Sequence, residues 1–315
     1  MASVQVTFAC RSFNLIKFLM LNTIIPKILI TGATGQVGSK TIDFLLSNKE
    51  IELVAAVRSP EKAAPFTAKG IATVILDFDD ESTHLSALKN IDRVLIVTGY
   101  TVDMLRQSKA LLDNAKKSGV QHVVHLGACG RDDTTVAHWA WHQLVERYIE
   151  WSGFSYTHLR PETFMQNVLS YGGKKAIENG IIHAFVQGAR LSWVDVDDVA
   201  QVAAVALANP EVHGRQTYRL GYDAITFNEM AGLMTSVIGK PFRYEPLSPE
   251  IFLQQMKDSG AEMAYMNCVY NHWKRYAAGM IPGADDTFDN FFEITGKQPV
   301  KWIDFIKKHK AEFDY

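Results

Sequence analysis

Residues Lys27 to Ser39 read KILITGATGQVGS, an apolar run set directly against three glycines at the spacing G-x-x-G-x-x-G. Gly32 suits a tight turn after a strand, Gly35 leaves room for a pyrophosphate to approach the backbone, and Gly38 lets the next helix pack closely. With Thr34, Gln36 and Val37 these glycines make a cradle. The helix expected from about Gln36 to Leu46 turns its free N–H groups and positive dipole end toward the phosphates. The stretch therefore predicts a dinucleotide site at the end of a first strand.

Outward from it, the chain alternates β-rich runs with helix-length segments. Strand-like runs stand at KILIT (27–31), IELVAAV (51–57), ATVIL (72–76), DRVLIVT (92–98), HVVHL (122–126) and YTHL (156–159). They are nearly continuous Val, Ile and Leu, as expected of parallel strands covered by helices on both faces. The fold class that follows is α/β: a Rossmann-like doubly wound parallel sheet with sites at the carboxyl ends of its strands. The expected organisation is an extension over 1–26, an NAD(P)-binding domain over 27–160, and a mainly substrate-side α/β lobe over 161–315, some of whose segments return to the sheet.

Composition limits the function classes. The 315 residues, 47% hydrophobic and 21% charged, allow a sizeable core. A net charge of -2 with mixed signs leaves no basic stripe for nucleic acid. Cys10, Cys129 and Cys268 are too few and scattered for a disulfide framework or a zinc centre, so no metal is expected and a reducing, cytoplasmic compartment is. Residues 1–26 contain Arg11 and Lys17 but no acid, and their apolar stretch is too short and broken to span a bilayer. They read as an extension upstream of Met20, with an organelle-targeting peptide as the alternative.

The second strand bears on which dinucleotide binds. An NAD-type site places Asp or Glu at its end, whereas this chain has Val57-Arg58-Ser59. Arg58 offers a permanently charged fork for a 2′-phosphate, with Lys62 close behind, so NADPH is expected over NADH. The competing reading makes Arg58 a solvated loop residue. Asp77, after the third strand, either accepts from the adenine amine or caps the next turn. Small residues at later strand ends, Thr98 and Gly99, then Gly127, with Pro161 after the sixth, would lie beside the nicotinamide half. Cys129 reads as a small buried filler.

ITGATGQVG (30–38), VRSPEKA (57–63), SGFSYTHLRPETFMQN (152–167) and WVDVDDVAQVAAVAL (193–207) together resemble the NmrA-like branch of atypical short-chain dehydrogenase/reductases. The resemblance runs from about Lys27 to Phe313. It implies a Rossmann-like fold with a smaller lobe and NADPH-dependent reduction of quinones or azo dyes. The family is similar to the isoflavone-reductase group and also contains cofactor-binding transcriptional regulators. Residues 213–252 resemble its strand, helix, Gly-Lys-Pro turn and strand, expected in the smaller lobe, and 294–313 its terminal helix.

Catalysis is where the pattern departs. Short-chain reductases commonly carry a Tyr-x-x-x-Lys pair on the helix after the fifth strand, the lysine lowering the tyrosine pKa for proton donation. Here that helix reads AHWAWHQLVERYIEWSG (137–153) without a lysine, and His142 falls where the isoflavone-reductase group has one. His142 is read either as a proton donor or ribose-orienting group, or as a packed residue of an aromatic-rich helix. Glu146, one turn on, would orient that ring or pair with a base elsewhere. The Tyr-x-x-x-Lys at Tyr171 to Lys175 reads as coincidence. Tyr100, Phe164, Met165 and Tyr171 would wall a flat substrate, with core packing as the alternative. Two functions follow: an NADPH-dependent reductase of quinone-like or other small electrophiles, or an NADP(H)-binding redox sensor acting through a protein partner.

Overall fold

The computed structural model describes residues 25–170 and 177–315. Among these, no helix is long and apolar enough to cross a membrane. The first half alternates β1 (Lys27–Ile30), α1 (Gln36–Leu45), β2 (Glu52–Val57), β3 (Ala72–Ile75), β4 (Arg93–Val97), α2 (Met104–Lys117), β5 (His122–Leu126), α3 (Ala137–Trp151) and β6 (Ser155–Pro161). Between β2, β3 and β4 the sequence predicts helices of ordinary length, but only single α-helical turns form, Ala64–Thr67 and His84–Ala87. Each is cut short by a residue at positive φ, Gly70 after the first and Asn90 after the second.

The second half supplies β7 (Thr163–Phe164), β8 (Ile177–Glu178), β9 (Ile181–Ala184), β10 (Arg190–Val194), α4 (Val196–Ala208), β11 (Gln216–Leu220), β12 (Asp223–Thr226), α5 (Phe227–Ile238), β13 (Arg243–Pro246), α6 (Pro249–Asp258), α7 (Met263–Ala277) and α8 (Trp302–Lys308). A seven-stranded sheet has the order β11-β6-β5-β4-β1-β2-β3, with every adjacent pair parallel. Two three-stranded sheets, β12-β10-β7 and β13-β9-β8, build the smaller assembly. The strand opening 213–252, expected in the smaller lobe, is β11, which joins the large sheet beside β6.

Burial explains the continuous apolar strands. Ile28 and Ile30 of β1 pack on one face with Val199, Val202 and Ala203 of α4, while Leu29 between them packs on the other with Leu111 and Leu112 of α2 and Val145 of α3. A strand covered on both faces favours apolar residues at successive positions. The smaller assembly has its own core, in which Trp193 meets Trp302 edge-on at 5.0 Å.

Candidate functional site

The site begins where β1 and β4 part. Thr31 ties the two strands together, its N–H and Oγ1 both donating to Leu95 O at 3.0 and 2.9 Å while Val97 N–H donates back to Thr31 Oγ1. Just beyond, the strand order reverses, and in an open parallel sheet that point is a crevice. Gly32 there takes φ +59, the left-handed region. A Cβ on Gly38 would come within 2.2 Å of Gly32 O, so α1 lies against the loop at a distance only glycine allows. Gly35 is the exposed N-cap of α1, and no side chain caps the helix there. Thr34 and Gln36 are exposed beside it, whereas Val37 is buried in the core. An uncapped ten-residue helix behind an exposed glycine fits a phosphate group, because its first N–H groups have no side-chain acceptor.

Because all strands run the same way, the other expected cofactor residues fall on the same rim. Arg58 follows β2, Thr98 and Gly99 follow β4, Gly127 follows β5, and Pro161 ends β6. Arg58 and Lys62 are exposed, and no ion pair engages either among the described residues. Ser59 is occupied differently, its hydrogen bond to Glu61 helping to hold that carboxyl below its usual range. Asp77 Oδ1 accepts from Asp79 N–H at 3.1 Å, so one carboxylate oxygen already closes the local turn.

Under α3 the structure gathers groups that the sequence scatters. His125 of β5 and His158 of β6 are register partners, and both side chains are fully buried. His142 Nδ1 lies 3.3 Å from His125 Nε2. Burial, reinforced by the neighbouring His138, pushes His142 down to about 3, so the ring is neutral at ordinary pH. It can orient or accept a hydrogen bond but cannot supply the standing charge of a lysine. Glu146 does not orient His142. Both its oxygens take hydrogen bonds from Arg160, at 2.9 and 2.6 Å, in a buried bidentate pair, and Arg160 also reaches Asp132 at 2.7 Å. Gly127 lies beside this pair, and a Cβ there would stand 3.2 Å from Leu159 O and 3.4 Å from Glu146 Oε1. His125, Glu146 and His158 come close enough together to suggest a metal centre. Arg160, however, already donates to both oxygens of that carboxylate.

Of the expected substrate walls, Tyr100 is 76% exposed and its ring lies 5.8 Å from that of Tyr265 on α7, so it reaches across to the second assembly. Phe164 is half-buried. Met165 is fully buried in the core of the smaller assembly, where it packs rather than lining an opening. Tyr171, with the Tyr-x-x-x-Lys it begins, lies outside the described residues. Cys129 is buried and free, and burial pushes its thiol well up, as fits a filler more than a nucleophile.

The sequence reading passed over Glu162, Arg219, His125 and His158. A signal was present: His158 and Arg160 of β6 and Glu162 just past its end stand at alternate positions. Ionisable residues with period two in an otherwise buried strand mark one polar face.

The model of the NmrA-like family matches residues 26–304. An NAD(P)H azoreductase of Xenophilus azovorans is 30% identical over 289 residues, covering 91% of this chain and 99% of that protein. The structure of an NADPH-dependent quinone oxidoreductase of Escherichia coli, complexed with NADPH, superposes with a TM-score of 0.76 at 25% identity, covering 89% of this chain and 99% of the other. That of Citrobacter sp. triphenylmethane reductase complexed with NADP(H) gives 0.77 at 22% identity, covering 90% and 99%. The chain belongs to the NmrA-like family.

Proposed function

We propose that this protein is an NADPH-dependent oxidoreductase that passes hydride to a quinone-like or other small electrophilic acceptor, with NADPH preferred over NADH. The observation that carries the reading is the single rim on which the uncapped α1 cradle, Arg58 and the small residues Thr98, Gly99 and Gly127 meet at the sheet's switch point. Relatives named as an NAD(P)H azoreductase and an NADPH-dependent quinone oxidoreductase support it.

Reduced nicotinamide supplies the hydride. The chain's own part is to bind and orient. Amides of Gly35 to Gly38 would hold the pyrophosphate, Arg58 and Lys62 the 2′-phosphate, and Asp77 the adenine edge. Gly99, Gly127 and Pro161 would leave a flat ring room against backbone, and neutral His142 would set a ribose hydroxyl. Tyr100 and Phe164 would wall the acceptor. A quinone accepts hydride readily, and its hydroquinone anion takes a proton from water, so the absence of Tyr-x-x-x-Lys on α3 costs such substrates little. The acceptor is a small molecule met in the cytoplasm, and the mixed surface charge offers nucleic acid no footprint.

The test is steady-state NADPH consumption by the purified protein with quinones, azo dyes, aldehydes and imines, after cofactor binding is confirmed by tryptophan fluorescence. Turnover with one acceptor class is expected. Tight binding of NADPH with no turnover across the panel would favour a redox-sensing regulatory protein, the reading to which the altered α3 helix otherwise lends itself.

A further inference from the structure

Azo and carbonyl acceptors need a proton as well as a hydride, and α3 lacks the Tyr-x-x-x-Lys pair to give it, its one tyrosine, Tyr148, donating to Asp113 instead. Glu162 stands one residue past β6, on the rim described above, and is only 6% exposed. It follows Arg160 by two residues, and its side chain meets Arg219 of β11, the register partner of Arg160. Its N–H donates to Leu220 O at 2.8 Å, fixing the backbone. Oε1 accepts from Arg219 Nη2 at 3.0 Å, and Cys129, just beyond β5, hydrogen-bonds to the carboxyl group. Tyr276 of α7 is buried near Glu162 and Cys129, on the side of the second assembly.

An arginine partner ordinarily keeps a carboxylate ionised. Arg219 is divided, however: its other terminal nitrogen donates to Asp286 at 3.1 Å, and its plane lies over the Phe288 ring. Asp286 is 44% exposed at its side chain and Glu162 3%, so one cation serves two anions and the buried one loses most hydration. Burial pushes Glu162 up to about 7, with Asp286 adding to the rise and Arg219 and Cys129 opposing it. A general acid with a pKa near the working pH is efficient in both directions of proton exchange.

We propose that Glu162 is the proton donor to the reduced acceptor, an assignment that rests on the reductase reading. NADPH is oxidised and the acceptor takes its electron pair. The Glu162 O–H bond breaks, the proton bonds to the acceptor oxygen or nitrogen made basic by that pair, and the carboxylate left behind is held by Arg219. Solvent reprotonates it from the side of exposed Asp286.

Two measurements test this on the full chain. In the first, carboxyl-13C glutamate NMR of the wild type is compared with Glu162→Gln to assign the resonance. A midpoint near 7 is expected, and one in the ordinary range near about 4.3 overturns the assignment. In the second, Glu162→Gln that still binds NADPH is expected to lose about 100-fold in kcat with an azo or carbonyl acceptor, and the alkaline limb of its pH profile, while a quinone loses less than about 3-fold. Equal losses for all acceptors, or none, overturn it. A wild type that turns over no acceptor sinks the reductase reading and this assignment together, whereas an active wild type with an unaffected variant sinks only the assignment.

Discussion

On the proposed reading, cofactor choice turns on Arg58 and cofactor binding on the glycines of the cradle. A charge-assisted hydrogen bond is worth about 1.5–3 kcal/mol, so Arg58→Ala should weaken NADPH binding by about 10- to 100-fold and leave NADH binding unchanged. Titrations with both cofactors decide it, and an unaltered ratio refutes the 2′-phosphate role. Gly35 and Gly38 should separate binding from folding. A Cβ at Gly35 meets only Gly32 O at 3.1 Å, a contact that small shifts relieve, but it stands where phosphate would approach. Gly35→Ala should keep its urea midpoint and lose about tenfold or more in NADPH affinity. At Gly38 the clash is 2.2 Å to backbone, so Gly38→Ala should lose about 1–3 kcal/mol or more of stability. The glycine turn and the uncapped helix behind it were legible in the sequence because glycine spacing after an apolar run is a local signal. Whether Asp77 serves the cofactor or the turn was not, since both uses draw on the same short carboxylate.

Between elements, the bond that matters most to the site is the Arg160–Glu146 pair, which clamps α3 to β6 behind the rim. Its side chains are 5% and 0% exposed. Glu146→Ala would leave Arg160 buried with only exposed Asp132 for charge, and should cost about 3–5 kcal/mol in urea denaturation. Glu146→Met combined with Arg160→Met should restore much of that, because the destabilising element is an unpaired buried charge rather than the loss of a bond. Additive losses in the double variant would contradict this account. The sequence left Glu146 two roles, and only the register of β5 and β6 chooses between them: it brings Arg160 under the third turn of α3 and sets His125 opposite His158. Pairing across 14 residues of chain is tertiary information that no helical spacing contains. The strands themselves were readable, since burial on both faces writes continuous apolar runs. The one-turn helices after β2 and β3 were not, being ended by Gly70 and Asn90 more than by any break in hydrophobic pattern.

For the whole molecule, the buried histidines set the response to acid. Burial lowers His122 and His138 to about 4, His142 and His158 to about 3, and His125, His213 and His272 as well. Each is neutral when folded and takes up a proton near 6.5 when unfolded, so its stabilisation is present above 6.5 and is lost as pH falls through its lowered folded value. Glu162 and Asp198, each raised to about 7, act oppositely, their contribution being complete below the ordinary carboxylate range and lost as pH rises through 7. Seven histidines outweigh two acids. The thermal midpoint should therefore fall between about pH 7 and about pH 5, and a flat or rising midpoint would show that the histidines are not held neutral.

The same molecule must also bring a reductant to an acceptor, and a single-turnover experiment asks that directly. Protein loaded with one equivalent of NADPH is mixed with a quinone in a stopped-flow cell, and the absorbance of reduced nicotinamide is followed. Loss of that absorbance together with formation of one equivalent of hydroquinone, faster than in the protein-free mixture, is the predicted result. NADPH that stays bound and reduced at the uncatalysed rate would contradict the account and leave a protein that holds its cofactor without using it.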